Sequence, residues 1–139
     1  MQITRTADYG VRLMMRLAGA PARTRMTVAD LARDSSTSPA YTAKILQRLG
    51  AARLVVSRRG FDGGFELARP AADISLLDIV GALDGPLCLN DCVPDGAGCD
   101  RAPVCTARDV WVRAQDAVAA VLSAQSLGGL VPQPANAAQ

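Results

Sequence analysis

Apolar residues near the start of the chain recur every three or four positions. In the stretch ITRTADYGVRLMMRLAGA, Tyr9, Leu13 and Leu17 lie four residues apart, with Met14 beside them. This spacing puts them on one face of an amphipathic helix, which we expect to end at Gly19.

Two shorter helical patterns follow. Thr27 and Asp30 have the spacing of a capping box, which predicts a short helix after Thr27. In SSTSPAYTAKILQRLG, Ser38 is a good N-cap, Pro39 suits the first helical position, and Gly50 is a typical end. Two short helices joined by a polar turn, the second more basic than the first, predict a helix-turn-helix, although any αα-hairpin can share this pattern.

Short β-prone runs come next. LVVS and FEL are separated by RRGFDGG, a glycine-rich turn, and together they predict a β-hairpin. A helix-turn-helix followed by such a hairpin is a winged helix. Arg58 and Arg59 lie on the predicted turn, and a narrow minor groove of DNA favours inserted arginine.

The second half of the chain has one short helical pattern and one long one. Ser75 and Asp78 form another capping box, at the start of a helix that we expect to end near Leu83. From Thr106, the stretch TARDVWVRAQDAVAAVLSAQ carries a wide apolar face that needs a partner. We expect that partner to be a second copy of the chain rather than the winged helix of the same subunit. The predicted dimerisation residues are Val110, Trp111, Ala114, Val118, Val121 and Leu122.

The size of the chain and its charge distribution indicate one domain with a polyanionic partner. A chain of 139 residues, half of them apolar, suits one domain that needs no disulfide scaffold. Residues 1–70 carry twelve Lys and Arg against five Asp and Glu, a net charge of +7. Residues 71–139 carry three against eight, a net charge of −5. The basic N-terminal half favours nucleic acid as the partner.

The sequence also predicts a compartment. The N-terminus MQITRTADYG lacks the pattern of a signal peptide, and no apolar run is long enough to cross a bilayer. We therefore expect a cytoplasmic protein without a membrane partner. In that reducing compartment, clustered cysteines more often bind metal or do redox chemistry than form permanent disulfides.

Four cysteines occur close together, with the spacing Cys88-x3-Cys92-x6-Cys99-x5-Cys105. None of these gaps is the tight C-x2-C pair that is typical of structural zinc, and the chain has no histidine. Three interpretations stay open from the residues alone: an iron–sulfur site, a zinc site, and free thiols or a reversible disulfide.

Three stretches together resemble the Rrf2 family of bacterial transcription regulators: ADYGVR, then VSRRGFDGGFELARPAADISLLDIVGALDG, then the spaced cysteines. The resemblance covers about residues 1–131. It implies a mainly α homodimer, and in many members an iron–sulfur cluster that controls DNA binding. The expected parts are a winged helix-turn-helix (1–84), a cysteine-rich loop (85–105), a dimerisation helix with its end segment (106–131) and a disordered tail (132–139).

The resemblance implies a ligand set as well. Family members with a cluster use three cysteines that match Cys92, Cys99 and Cys105, although the first gap is one residue longer here than is common. An IscR-like branch takes its fourth ligand from a histidine, which this chain lacks. An NsrR-like branch uses an aspartate in the first helix of the other subunit, and Asp8 matches it, with Arg12 one turn later. A 4Fe–4S cluster is therefore favoured, with a 2Fe–2S cluster as the alternative.

Three residues of the predicted cluster site have a simpler interpretation. Asp8 and Arg12 could form an ordinary surface ion pair at the start of a helix, and Cys88 could be a small apolar residue rather than a spare thiol or alternative ligand. If Asp8 does bind iron, that iron is the reactive one, because carboxylate is a weaker iron ligand than thiolate. By resemblance, nitric oxide is the first choice of signal, with oxygen, iron scarcity and thiol stress open.

Resemblance places the recognition helix at residues 39–49, where Ala43 stands at a position that can carry a discriminating glutamate in the IscR-like branch. Arg48 and Arg53 are expected to contact phosphate, which positions a protein without specifying a base sequence. The expected function is that of a repressor on a palindromic DNA operator. The predicted DNA-binding residues are Ser38, Ala40, Tyr41, Ala43, Lys44, Arg48, Arg53, Arg58, Arg59 and Gly60.

Two other functions use the same cysteines. A DNA-binding dimer with a direct thiol and disulfide switch needs no cluster, and a small iron–sulfur electron carrier needs no DNA. Catalysis has little support, because the chain lacks histidine and a nucleophile-base pair, and GFDGG is too short to bind a nucleotide. We therefore predict that the chain is not an enzyme.

Overall fold

A computed structural model describes residues 2–21, 23–93 and 98–132 of the protein. Its helices and strands are α1 (Arg5–Gly19), α2 (Val28–Ser35), α3 (Pro39–Ala51), β1 (Val55–Arg58), β2 (Gly64–Leu67), α4 (Leu76–Asp84), α5 (Arg108–Ala124) and α6 (Leu127–Leu130). Two short 3-10 helices occupy Ala71–Asp73 and Ala102–Val104. This order confirms the predicted mainly α winged helix. The tail that we expected to be disordered lies, apart from Pro132, outside the described residues.

Side-chain caps begin α3 and α4 where the sequence predicts them. Ser38 accepts a hydrogen bond from the Tyr41 N–H at 3.2 Å, and Pro39 is the first helical residue. Ser75 and Asp78 make a complete, reciprocal capping box at the start of α4.

The cap of α2 is only half of the predicted box. Thr27 accepts from the Asp30 N–H at 3.2 Å. The Asp30 carboxylate, however, accepts from the Thr27 hydroxyl at 2.8 Å and from Arg33 at 2.9 Å. These bonds hold the pKa of Asp30 below its ordinary value, and the bond from Thr27 has the largest effect. The prediction of a complete box is wrong here because hydroxyl and guanidinium occupy the carboxylate that would have capped the Thr27 N–H.

The end of α3 lies one residue beyond the predicted end at Gly50. Arg53 adopts the left-handed backbone conformation, with φ 59°, and the Leu54 N–H donates to the Leu49 carbonyl at 2.9 Å. Helix ends of this kind usually carry glycine or asparagine, so an arginine in that position gives no sequence signal.

One apolar core joins α1, α2, α3 and α4 to the hairpin. Leu13 and Met14 of α1, Leu31 of α2 and Leu46 of α3 are fully buried in it. Burial of each such side chain contributes about 1.5–3 kcal/mol, so this core holds the recognition helix against the body of the subunit. In the part of the chain that the structure describes, no helix has the length and apolar character to span a bilayer.

The short helix α6 was not predicted. Ser126 caps it by accepting from the Gly129 N–H at 3.2 Å, and the buried Leu127 donates its N–H to the Ile74 carbonyl at 2.7 Å. Its four residues include two glycines and are too few to show a helical period. Through α6 the chain returns to its own winged helix after α5.

Candidate functional site

Helix α3, which is predicted to be the recognition helix, has one buried and one exposed face. Ile45 and Leu49 are buried in the core, whereas Ala40, Ala43 and Lys44 are exposed. The two alanines leave a shallow surface beside a single cation. Such a surface can approach the edge of a DNA groove closely, because no long side chain holds the helix away.

Tyr41 of α3 is half-buried and faces α1 rather than open solvent. Its hydroxyl lies 2.5 Å from the Thr6 hydroxyl, and its ring meets the Tyr9 ring edge-on, with centroids 6.0 Å apart and planes at 87°. Tyr41 therefore fastens the recognition helix to the first helix of the same subunit.

Arg48 and Arg53, the two predicted phosphate contacts, have different surroundings. Arg48 donates from Nη2 to the Leu83 carbonyl in the last turn of α4, where a cation is favoured by the helix dipole. Arg53 is exposed in the reversal that follows α3. Arg53 is thus the freer of the two for contact with another molecule.

The hairpin forms a wing with a charged network at its base. The strands pair antiparallel from Val55 opposite Leu67 to Arg58 opposite Gly64. Glu66 lies between two arginines, accepting from Arg58 Nε at 3.2 Å and from Arg25 Nε at 3.3 Å. These contacts hold the pKa of the Glu66 carboxyl below its usual range, and the contact with Arg58 has the largest effect.

Arg59 and Gly60 stand past this network in the turn of the wing. Arg59 is exposed and makes no ion pair with another residue of the described ranges. Gly60 has φ 112°, a conformation that residues with a side chain rarely adopt. Arg25 was missed in the sequence because its partner Glu66 lies 41 residues further along the chain.

The cysteine loop holds four free thiols. Cys88 is exposed, and Cys92, Cys99 and Cys105 are half-buried. A Cβ on Gly98 would lie 2.7 Å from the Asp91 carbonyl oxygen, so the backbones at these two positions touch. Cys92 follows Asp91 and Cys99 follows Gly98. The backbones of the two cysteines therefore lie close together, although six residues separate them in the sequence.

Arg108, the first residue of α5, organises this loop. Its Nε donates to the Cys92 carbonyl at 3.0 Å, and its backbone N–H donates to the Cys105 carbonyl at 3.2 Å. The Cys99 carbonyl accepts from the Ala102 N–H at 3.0 Å. The sequence gives no hint of this role, because an arginine at a helix start has no local partner there.

Asp8 and Arg12 form an exposed ion pair on α1. Arg12 Nη2 lies 2.7 Å from Asp8 Oδ2, with side chains 57% and 52% exposed respectively, and the Arg12 guanidinium lies 5.6 Å from the centroid of the Tyr9 ring. Within residues 2–21, 23–93 and 98–132, no three Cys, Asp or Glu side chains come together as a ready metal site. The donor chemistry nevertheless fits an iron–sulfur cluster, since three half-buried thiols share one loop.

The helix α5 lacks a core of its own. None of its 17 residues is buried, and Val110, Trp111 and Val121 are 57%, 43% and 69% exposed. Ala114, Val118 and Leu122 are half-buried. The helix thus presents an apolar stripe of the kind that associates with another helix.

A family model and a curated relative both match the chain, and both are described as transcriptional regulators. The model of the Rrf2 family, described as an iron-dependent transcriptional regulator, matches residues 3–133. The chain is 35% identical over 137 residues to an HTH-type transcriptional regulator of Mycobacterium tuberculosis, covering 96% of this chain and 85% of the relative.

Solved structures of similar proteins have the same fold. The structure of CymR, the global cysteine regulator of B. subtilis, has a TM-score of 0.77 and 28% identity, and covers 94% of this chain and 95% of its own. The structure of IscR from T. potens has a TM-score of 0.75 and 25% identity, and covers 94% of this chain and 85% of its own. These proteins are regulators, not enzymes, in line with the sequence prediction.

Proposed function

The chain belongs to the Rrf2 family of transcriptional regulators, which bind DNA and are typically dimeric, and we propose that it is a repressor controlled by an iron–sulfur cluster. The observation that carries this proposal is the cysteine loop. Three half-buried free thiols lie there, in a loop whose backbone Arg108 binds at two points. Iron–sulfur clusters are held by cysteine thiolates, so three thiols in one anchored loop support this proposal.

The proposed DNA contacts fall into two groups. Ala40, Ala43 and Lys44 of α3 would lie in the major groove, with Ser38 at the start of the helix near a phosphate. Arg59 and Gly60 of the wing would meet the minor groove, where arginine is favoured. In addition, Arg53 would contact a phosphate. Tyr41, Arg48 and Arg58 have partners inside the subunit, so we assign them to positioning the helix and the wing.

The proposed dimer forms through α5. Its unburied apolar stripe is the surface that a two-fold partner would cover, and burial of Trp111, Val118, Val121 and Leu122 would supply the association energy. A dimer is also what a palindromic operator requires, because each half-site binds one recognition helix.

The proposed cluster ligands are Cys92, Cys99, Cys105 and Asp8 of the partner subunit. When bound, a 4Fe–4S cluster would supply an iron whose weakest ligand is the carboxylate and which nitric oxide can therefore attack first. Arg108 fixes the carbonyls of two of these cysteines. The Asp8 side chain is half exposed, and its pair with Arg12 uses Oδ2, which leaves Oδ1 open to a neighbouring subunit.

Control of DNA binding would follow from this ligand arrangement. Asp8 directly precedes Tyr9, whose ring contacts that of Tyr41 in α3. A ligand supplied across the dimer would couple the placement of α1 to that of both recognition helices, and their spacing decides operator binding. Oxygen and iron scarcity are alternative signals with the same ligand set.

A second candidate function is a direct thiol switch in the same DNA-binding dimer. The specific observation in its favour is that all four thiols are free and that Cys88 is exposed to solvent, its Sγ donating to the Asn90 carbonyl at 3.1 Å. An exposed thiol is open to oxidation. An iron–sulfur electron carrier fits less well, because it leaves the wing and the recognition helix without a role.

Purification without oxygen separates these candidates. The parent protein should have a brown chromophore and contain iron and acid-labile sulfide in equal amounts, whereas Cys105→Ala should contain little of either. Cys88→Ala, which removes the exposed thiol, should keep both. A colourless parent without iron, whose operator binding changes on oxidation and recovers on thiol reduction, would instead establish the thiol switch.

A further inference from the structure

Phe61 is the most exposed large apolar side chain of the described residues, with its full surface in water, at the tip of the wing. We propose that Phe61 is a wedge that enters the minor groove of bound DNA and partly separates two stacked base pairs. Wedges of this kind are known chemistry for phenylalanine in minor-groove proteins. The proposal rests on the DNA-binding function. It adds a residue that selects DNA sites by how easily their base pairs unstack.

The backbone of the turn is built to display this side chain. The Gly63 N–H donates to the Gly60 carbonyl at 3.0 Å, which closes a β-turn with Phe61 as its first central residue. Gly60 has φ 112°, and a Cβ on Gly63 would lie 2.7 Å from the Arg58 carbonyl oxygen. Both glycines are therefore required, and Phe61, the first of the two residues between them, is fully exposed.

The tip is also anchored to the body of the subunit. Arg25 Nη1 donates to the Asp62 carbonyl at 3.2 Å, directly after Phe61. Met26 and Phe65 exchange backbone hydrogen bonds of 3.0 and 2.8 Å, which pair β2 with the segment before α2. A side chain that pushes between base pairs needs such support, because a loose loop would bend before the bases separated.

The charge around Phe61 fits DNA better than an apolar protein surface. Arg58, the last residue of β1, and Arg59 lie just before the turn and are exposed, and Arg58 is paired with Glu66. Burial of this tip in an apolar interface would strip water from these guanidinium groups, whereas in a minor groove the guanidinium of Arg59 would face phosphates and electronegative walls.

The wedge predicts which sequence the wing prefers. Pyrimidine–purine steps such as TA and CA unstack at the lowest cost, so insertion at the wing favours a site with such a step there. No hydrogen bond to a base is needed for this preference. It differs from the preference of Arg59, which follows the narrow groove of A·T-rich DNA.

The test uses the full-length dimer and duplexes selected by it from a random pool about 30 base pairs long, enough for two half-sites. A selected duplex is then labelled with 2-aminopurine at the step under the wing. Binding of the parent should raise the fluorescence, because the labelled base loses its stacking. Phe61→Ala should abolish this rise and bind about tenfold more weakly. Phe61→Leu, which keeps an apolar wedge, should retain most of both effects.

A second selection and one control complete the test. Selection with Phe61→Ala should lose the preferred pyrimidine–purine step and keep the A·T bias. Ile3→Ala, which shortens another exposed apolar residue outside the wing, should change neither fluorescence nor affinity. The wedge is overturned if Phe61→Ala gives the parent's fluorescence, affinity and preferred step, or if it converts the dimer to monomer. A parent that selects no duplex at all would overturn the DNA-binding function as well.

Discussion

Gly10 of α1 lies so close to Leu83 of α4 that a methyl group on Gly10 would overlap the Leu83 Cδ1 atom. Leu83 is 2% exposed, so the closely packed core surrounds its side chain. Its carbonyl accepts the hydrogen bond from Arg48 of α3. These two contacts at Leu83 therefore join α1, α3 and α4, and they help to fix α3 within the subunit.

We expect Gly10→Ala to lower the free energy of unfolding by about 1–3 kcal/mol, because overpacking outweighs the better helix propensity of alanine. The matched control is Gly81→Ala in α4, where a Cβ would meet nothing within 4 Å. That change should stabilise by about 0.5–1 kcal/mol. Urea denaturation at one protein concentration measures both changes. Equal stability of Gly10→Ala and the parent would show that Leu83 can move aside.

The ion pairs of Glu66 with Arg58 and Arg25, at the base of the wing, predict that the stability of the fold depends on pH. The pKa of Glu66 lies below its ordinary value of 4.5 because of Arg58 and Arg25, so its contribution is fully present above the unfolded-state pKa. It is lost as the pH falls through the folded-state pKa. The difference in unfolding midpoint between parent and Glu66→Gln should therefore be constant near neutral pH and disappear in acid.

A control for this titration is Asp62→Asn, in the same hairpin, since its carboxylate makes no ion pair with a described residue. Its midpoint should follow that of the parent throughout. A Glu66→Gln difference that persisted in strong acid, where the carboxyl of Glu66 is protonated in both folded and unfolded protein, would mean that the effect is not electrostatic.

The sequence predicted the elements whose signals are local. Ser38 with Pro39 and Ser75 with Asp78 mark helix starts within four residues, and the apolar periods of α1 and α5 identify their faces. Family resemblance, the mainly α winged helix and the absence of an enzymatic role are confirmed by the comparisons.

Contacts between distant residues could not be predicted in this way. The contact between the hydroxyls of Tyr41 and Thr6 has no local signal, because the two residues are 35 positions apart. Arg25 and Arg108 were missed for the same reason, since Glu66 and Cys92 become their neighbours only when the chain folds. Local patterns fix where a helix begins, whereas tertiary packing decides which face of it stays free.

The dimer predicts that a charge in the apolar stripe of α5 gives monomers. Val118→Asp or Leu122→Asp would place a carboxylate in a buried interface, at a cost of several kcal/mol, on the order of the penalty for an unpaired buried charge. Ser123→Asp, on the opposite side of the helix by its period, should leave the dimer intact. Sedimentation measures the mass and a gel shift measures DNA binding. A dimer that survives both stripe variants would have its interface elsewhere.

The free arginine of the wing predicts a loss of DNA affinity. Arg59→Ala should weaken operator binding by about 1–3 kcal/mol at physiological salt if the side chain enters a groove. Arg69→Ala removes the same charge outside the wing, from a pair with Asp78 at 3.3 Å, and should have a smaller effect. An affinity for Arg59→Ala equal to that of the parent would remove the wing arginine from the contact set.

The ligand set makes separate predictions for thiolate and carboxylate ligands. Change of Cys92, Cys99 or Cys105 to alanine should abolish, or nearly abolish, the brown chromophore after anaerobic purification, because two thiolates are too few to hold a cluster. Cys88→Ala should leave the chromophore unchanged, since its exposed thiol stands outside the trio.

Asp8→Ala should behave differently from the cysteine variants. Three thiolates remain, so a cluster can still assemble with water or a small thiol on the fourth iron, but its spectrum, its lifetime in air and its reaction with nitric oxide should all change. Asp8→Cys should restore full coordination with a stronger ligand and slow the reaction. Arg12→Ala removes only the ion-pair partner of Asp8, so it should keep the cluster. If Asp8→Ala matches the parent in all three measurements while Cys88→Ala loses the cluster, the ligands are four cysteines and Asp8 is an ordinary surface residue.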